Sequence, residues 1–457
     1  MIIRDGTDND GRTHHIRVGV TSVMPPQVET WNADVFEGQI VAQDIIPAAK
    51  AAVKRLRRKG AGVVVLLAHT SLGTGRDDPS AEHGAAALAA RSGADVIVSG
   101  HGHKAFPLNG AEGLINGVPV VNPGYQGSHL GVVELELKQA SAGWRVTADP
   151  GYLIENPGKG TDGAVEKAAL AAHGTTQRIM KEPLGTAHQR ISSHFSMVQP
   201  DRVTALVQDA KKTWVESQLQ GTPWQDWPVV SAVAPFKAGG QGGARNYTDV
   251  PAVELTMRSV SDLCPYPNDI AAIEITGAGL RDWLERSVSI YQRFAASGGR
   301  QLLLDPAGAS YLFDVISDLT WEIDLASNSR FLPDGQLAAQ SNRRIRAVRY
   351  NGRPLDDREN FVLVTNSYRV GGGGQFPGAV TAPRVPLPTR TIRDILADYI
   401  RTCTPVDIIP TSRWRFTSLP GAEAMFYTAP TADPADCPLA HRHSTVSDGF
   451  VGYSLAL

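Results

Sequence analysis

Apolar and polar positions fall into two stretches with different rhythms. Ile16 to Val23 alternates as a strand, Gln43 to Arg58 puts Ile45, Ile46, Ala49, Val53 and Leu56 on one helical face, and Ala61 to Ala68 (AGVVVLLA) is an unbroken apolar run of strand length. A helix over Ala81 to Arg91 and a strand over Val96 to Val98 follow. The order β-α-β-α-β predicts a parallel or mixed sheet covered by helices. Val118 to Val121, Gly131 to Leu137 and Trp144 to Ala148 add shorter strands of hairpin type.

A polar, glycine-rich stretch over residues 155 to 164 (ENPGKGTDGA) breaks the pattern. Beyond it the spacing predicts helices over Val165 to Lys181, Asp201 to Gln218 and Gly279 to Tyr291, strands near 311 to 324 and 344 to 350, and glycine-rich loops at 239 to 243 and 371 to 374. The resulting division is a first domain over 1–157, a linker helix over 158–184, a second domain over 185–430 and a tail over 431–457. No internal repeat is present.

Composition narrows the functional classes. A chain of 457 residues exceeds one ordinary core and implies two or three domains. With 44 basic against 46 acidic side chains, nothing points to a nucleic-acid polymer as partner. No run approaches the roughly 18 apolar residues of a membrane span, and the opening MIIRDGTDNDGRTHH lacks the basic-then-apolar order of a secretory signal. The cysteines, Cys264, Cys403 and Cys437, form no CxxC pair and read as isolated thiols.

The chemistry gathers at strand ends. His69 closes the apolar strand, and His101 and His103 follow the next one in Asp95 to Pro107, DVIVSGHGHKAFP. A right-handed crossover through one helix sets these strands side by side, so three imidazoles converge on the carboxyl edge of the sheet, where α/β proteins build their sites. A lone histidine there would more simply cap a turn. Two flanking a glycine, with a third on the neighbouring strand, point to a divalent metal, Gly102 letting the backbone bend so that both rings reach it. His14 and His15 stand at the opposite end of their strand and are expected in solvent. His83, His129, His173, His188, His194, His441 and His443 have no comparable setting, although His129 could support the ligands from behind.

In the second domain, Gly239, Gly240, Gly242 and Gly243 form a loop whose amides can approach phosphate or ribose, with Lys237 and Arg245 supplying positive charge. No Gly-Lys-Ser/Thr loop, no GxGxxG between strand and helix and no Gly-x-Ser-x-Gly elbow is present. Asp77 and Asp78 read as a solvated helix start capped by Ser80.

These motifs resemble the calcineurin-like metallophosphoesterases, and within them the 5'-nucleotidase family. GHGH matches the family's GHxH loop and Ala68-His69 its strand-ending AH; VSAVAPFKAGGQGGARNYTDVP, YPNDI, VTNSYRVGGGGQFPG and GVPVVNPGYQGSHLGVVELEL resemble the branch that acts on 2',3'-cyclic nucleotides and 3'-nucleotides. The resemblance spans essentially the whole chain. It implies an α/β fold: the C-terminal half of a metallophosphoesterase sheet domain followed by an α/β nucleotidase substrate-binding domain. It also implies hydrolysis of nucleotide phosphate esters with two divalent ions (Mn, Zn, Co or Fe), His69, His101 and His103 as ligands, Tyr266 and Tyr368 sandwiching the base, Asn268 bonding its edge, and a periplasmic location. The place where members acting on 5'-nucleotides carry an aspartate falls at Gly374 or Gln375.

One departure changes the expectation. The family's Asp-x-His, Gly-Asp and Asn-His motifs have no match in residues 1–68, so the chain is read as a truncated member or gene remnant, its missing half otherwise being a separate polypeptide. The sheet is then expected to lack its first strands and expose an apolar edge. Activity of the chain alone is expected to be impaired, and a non-catalytic nucleotide-binding protein is the alternative.

Overall fold

The computed structural model describes residues 1–31, 36, 39–73, 82–108, 110–141, 143–158, 160–295, 298–305, 308–445 and 449–457. Asp77, Asp78 and Ser80 lie outside them. The chain divides into two compact units, Met1–Lys167 and Ala168–Leu457.

The first unit is built on one six-stranded sheet. Its strands are β1 (Ile2–Thr7), β2 (Thr13–Val23), β3 (Val63–Ala68), β4 (Val96–Ser99), β5 (Leu114–Ile115) and β6 (Val118–Val121), in the order β1-β2-β3-β4-β6-β5. β2, β3, β4 and β6 run parallel, with Val23 beside Ala68 and Ala68 beside Ser99. The helices α1 (Ile45–Arg58) and α2 (Ala85–Arg91) make the crossovers. On α1, Ile45, Ile46, Ala49 and Val53 are buried, as the periodicity predicts, and pack with Val64, Leu66 and Ile97 of the sheet. Arg57, in the last turn of α1, grips both carboxylate oxygens of Asp95 at 2.6 Å, while Asp95 also accepts from the amide of Val64 at 2.6 Å. This fork ties the helix to the starts of two neighbouring strands.

Three expectations are corrected in this unit. β2 is not the edge strand: β1 pairs with it antiparallel from Ile2 opposite Val18 to Thr7 opposite Thr13, although on this outer strand Ile2 and Ile3 are themselves exposed. The turn between them is held by Asp8, whose Oδ1 accepts from the amides of Asp10 and Arg12 at 2.9 and 2.8 Å, with Gly11 at φ 80°. His14 is not in open water; it bonds Asp8 at 2.8 Å and lies edge-on to Trp144 at 5.3 Å, while His15 is exposed and bonds Asp5 at 2.6 Å. The strand expected over Gly131 to Leu137 is two strands, His129–Val132 paired with Tyr152–Glu155 and Leu135–Ala140 paired with Gly143–Ala148. Alternation continues through the break, which is why periodicity alone does not show it.

The helix α3 (Gly163–Met180) spans the division between the units and buries none of its side chains. In the second unit a four-stranded sheet, with β7 (Val229–Val233), β8 (Ile270–Thr276), β9 (Val315–Ile316) and β10 (Asn360–Asn366), runs in the order β8-β10-β7-β9. Successive residues of a strand face opposite sides. Phe361 and Leu363 therefore enter one core with α5 (Gly277–Ser287), and Val362 and Val364 enter another with α4 (Arg202–Gln218) and α6 (Ile392–Cys403). Asp201 caps α4 through the amide of Thr204 and Thr391 caps α6 through that of Asp394. The stretch 431–457, set apart in sequence as a tail, supplies strands Ala440–Thr445 and Val451–Ala456 to a sheet with Ala422–Thr428. Phe450, Val451 and Tyr453 are buried in the same core as Phe361.

Candidate active site

Parallel pairing of β3 with β4 carries His69 and the GHGH loop to one edge of the first unit's sheet. The rings of His69 and His101 are 5.1 Å apart and those of His83 and His101 5.9 Å. His101 Nε2 donates to Glu82 Oε1 at 2.8 Å, and Ser71 Oγ lies 2.5 Å from His83 Nδ1. The loop carrying Glu82 and His83 is pinned by Thr70, whose hydroxyl donates to the Glu82 carbonyl at 2.6 Å and accepts from the Gly84 amide at 2.7 Å. Ser99 in turn donates to the Thr70 carbonyl at 2.7 Å. A depression of 330 Å³ bounded by Ser22, Met24, His69 and Gly100 opens beside this edge.

The donor atoms of Glu82, His83 and His101 all lie within 4.8 Å of one another, which suits one divalent ion. Glu82 and His83 were missed in sequence because they read as the start of the helix expected over Ala81 to Arg91, which begins only at Ala85; the available signal was an acid-imidazole pair just before an alanine-rich run. His103 is not among these donors and stacks on Tyr125 at 5.0 Å, with 12° between the rings. His129 pairs with Ser128 at 2.9 Å.

Electrostatics favours a cation here. Partial burial first, then repulsion from His101 and His103, lowers the pKa of His69 and keeps its imidazole neutral. The hydrogen bond from His101 holds the Glu82 carboxyl below its usual range, against the effect of burial. The glycine at 102 has a different role from the one expected. The left-handed residues are His101 (φ 67°) and His103 (φ 56°), whereas Gly102 is required because a Cβ there would stand 2.6 Å from Cβ of Ser71. Non-glycine residues in that region store strain of about 1–3 kcal/mol each, which the surrounding bonds must hold.

In the second unit, β8 and β10 pair antiparallel with Ile270 opposite Asn366, so Tyr266 before β8 and Tyr368 after β10 come from the same sheet end. The amide of Ser367 donates to the Asp269 carbonyl at 2.9 Å and the Ser367 hydroxyl accepts from the Asp269 amide at 3.2 Å, joining the two chain segments. Tyr266 is 52% exposed and meets Phe236 edge-on at 5.7 Å. Tyr368 meets Tyr311 edge-on at 6.4 Å, and the Arg369 guanidinium lies 5.5 Å from its ring centre. The backbone of Gly373 covers one face of this ring. Asn268 is half-buried, and its carbonyl accepts from the Ile392 amide at 3.0 Å. In the glycine loop, Gly239 (φ 75°) and Gly240 (φ 59°) are left-handed, and a Cβ at Gly239 would enter the ring of Tyr247. Lys237 is ion-paired with Asp262, whereas Arg245 is exposed.

Residues 182–381 match the 5'-nucleotidase C-terminal domain. Over 458 residues, covering 94% of this chain and 70% of the relative, the chain is 32% identical to the 2',3'-cyclic-nucleotide 2'-phosphodiesterase/3'-nucleotidase of Yersinia enterocolitica. The chain belongs to that branch of the 5'-nucleotidase family. The Haemophilus influenzae member bearing the same name is 31% identical over 98% of this chain and 73% of its own length. The trifunctional nucleotide phosphoesterase protein YfkN of Bacillus subtilis is 33% identical over 98% of this chain, which spans 32% of that protein. The fold agrees with a putative 5'-nucleotidase from Staphylococcus aureus, with a TM-score of 0.64 at 17% identity over 91% of this chain and 74% of that one. A 5'-nucleotidase precursor from Thermus thermophilus gives a TM-score of 0.54 at 18% identity, covering 92% and 75% of the two chains. The first unit is thus a metallophosphoesterase-type sheet and the second a nucleotidase C-terminal domain. Among the described residues no helix is long and apolar enough to cross a membrane.

Proposed function

We propose that this 5'-nucleotidase-family chain serves the hydrolysis of phosphate esters of nucleotides, with 2',3'-cyclic nucleotides and 3'-nucleotides as the substrate class. The convergence of His69 and His101 on one sheet edge, with Glu82 and His83 beside them, carries this reading. His101, His83 and Glu82 would hold a divalent ion, with His69 and His103 at the margin of the same edge. When bound, such an ion neutralises charge on phosphoryl oxygens. Tyr266 and Tyr368 offer π-faces that hold a base whatever its identity, at roughly 1–3 kcal/mol per stacked ring. Arg245 is the exposed cation for ribose or phosphate, since Lys237 is already neutralised by Asp262.

Two ions close together repel, and a bridging carboxylate offsets that repulsion. Among the described residues the cluster contains one carboxylate, Glu82, and it is engaged by His101. With one carboxylate among the described residues of the cluster, the site should hold one ion and give little or no turnover. Phosphate release from 2',3'-cyclic AMP and 3'-AMP tests this: the parent chain should run no faster than a His101→Ala, His103→Ala double variant. Metal-dependent turnover that vanishes in that variant would refute the impairment. Saturable adenosine binding without turnover would favour a nucleotide-binding role.

A further inference from the structure

The second unit contains another pocket, of 340 Å³, lined by Arg293, Ser327, Asn328, Asn342, Arg343 and Arg346 among others. It is formed where two antiparallel strands, Leu319–Ile323 and Ile345–Tyr350, enter their loops, with Asp324 donating its amide to the Arg344 carbonyl at 2.8 Å across the pair. None of its lining residues belongs to the tyrosine pair or to the glycine loops. Among the described residues, Ala326 is the one apolar residue in its lining, so the wall is mainly polar.

The guanidinium groups here have donors to spare. Among the described residues, Arg293 uses Nε on the Ala326 carbonyl at 3.0 Å, leaving both terminal nitrogens uncommitted. Arg343 uses Nη1 on the carbonyls of Gln340 and Asn342 at 2.6 and 2.8 Å. Arg346 uses Nη2 on Asp324 at 3.1 Å and Ser327 Oγ at 3.0 Å. Beneath them Arg344 is 2% exposed, and its guanidinium bonds the carbonyls of Ser327 at 2.9 Å and Tyr291 at 2.6 Å. Glu285, the neighbouring acid, is occupied by the amides of Arg344 and Ile345. Among the described residues, four guanidiniums thus face two carboxylates, Asp324 and Glu285, a surplus of positive charge over a partly built cradle. Burial, only partly relieved by those two acids, pushes Arg344 down to about 10. Arginine forks match the oxygens of a tetrahedral anion, and a concave site lined by one sign of charge concentrates its counter-ion.

We propose that this pocket binds a small phosphorylated anion through Arg293, Arg343 and Arg346. Calorimetry of the full chain with pyrophosphate, in about 0.15 M chloride to screen diffuse attraction, tests it. One saturable site is expected. Arg293→Ala and Arg343→Ala should each weaken it about tenfold or more, as expected for a lost charge-assisted bond. Asn328→Asp, an exposed change that leaves the arginines in place, should weaken it through like-charge repulsion. Arg300→Ala, a surface arginine paired with Glu423, should change nothing. Affinities for all variants within about twofold of the parent would overturn the proposal, as would binding abolished by Arg245→Ala but not by Arg293→Ala.

Discussion

Gly373→Ala tests how the base site is assembled. Gly373 lies against the face of Tyr368: a Cβ added there would be 2.5 Å from both Cε1 and Cε2 and close to Cζ. Contact with three adjacent ring atoms means the methyl would press on the face rather than the edge. To restore an ordinary 3.4 Å contact with the nearest ring atom, Cζ at 2.4 Å, the ring must recede by about 1.0 Å. Gly373 is not left-handed, so the backbone tolerates alanine and the whole effect passes through the ring. Stacking is worth roughly 1–3 kcal/mol per base, so a displaced Tyr368 should weaken adenosine binding by roughly 5- to 140-fold. Overpacking should also lower unfolding stability by about 1–3 kcal/mol. The assay is calorimetry with adenosine on the parent, Gly373→Ala, Tyr368→Ala and the double variant. If the ring transmits the effect, Gly373→Ala costs nothing further once Tyr368 is alanine. Equal costs in both backgrounds would show that the effect does not pass through the ring, and an unchanged affinity in Tyr368→Ala would remove that residue from the site.

Other outcomes follow from the same geometry. Gly102→Ala should lower metal content, because its Cβ collides with Ser71, and Ser71→Gly should restore it; elemental analysis of both variants checks this. His14→Ala and His15→Ala should leave metal content unchanged, since both pair with β1 and turn acids at the other end of β2. Lys211 is fully buried, donating to the Ala232 carbonyl at 2.8 Å, and burial pushes its pKa down from 10.5 to about 7. Between those values the unfolded chain binds more protons than the folded one, so this residue's contribution makes stability rise with pH. Lys211→Met should flatten that rise in urea midpoints measured from about pH 7 to about pH 9; an unchanged slope would contradict it.

Legibility in the sequence depended on how each feature is encoded. Continuous apolar runs and the helical face of Ile45, Ile46, Ala49 and Val53 were readable because burial alone sets them. From these, the crossover rule placed His69 beside His101. Strand β1 was not readable, because IIRDGT carries more turn and charge signals than alternation and forms only against β2. Glu82 and His83 were hidden for a similar reason: their place is set by Thr70 and Ser71, residues that come close only in the folded loop. The role of Gly102 was misread because composition suggests a bend, while close approach to Ser71 is a tertiary fact. The tyrosines could be named from family motifs, yet the ion pair that occupies Lys237 could not, since Asp262 is brought to it by folding.

The most direct test of the central claim, that the histidine edge is a metal site, is elemental analysis of the purified chain alongside its His101→Ala, His103→Ala variant after equal exposure to Mn, Zn, Co or Fe. About one ion per parent chain is expected, held by the donor set around His101, with loss of that ion in the variant. Equal metal content in the two proteins would show that the imidazoles only cap a turn.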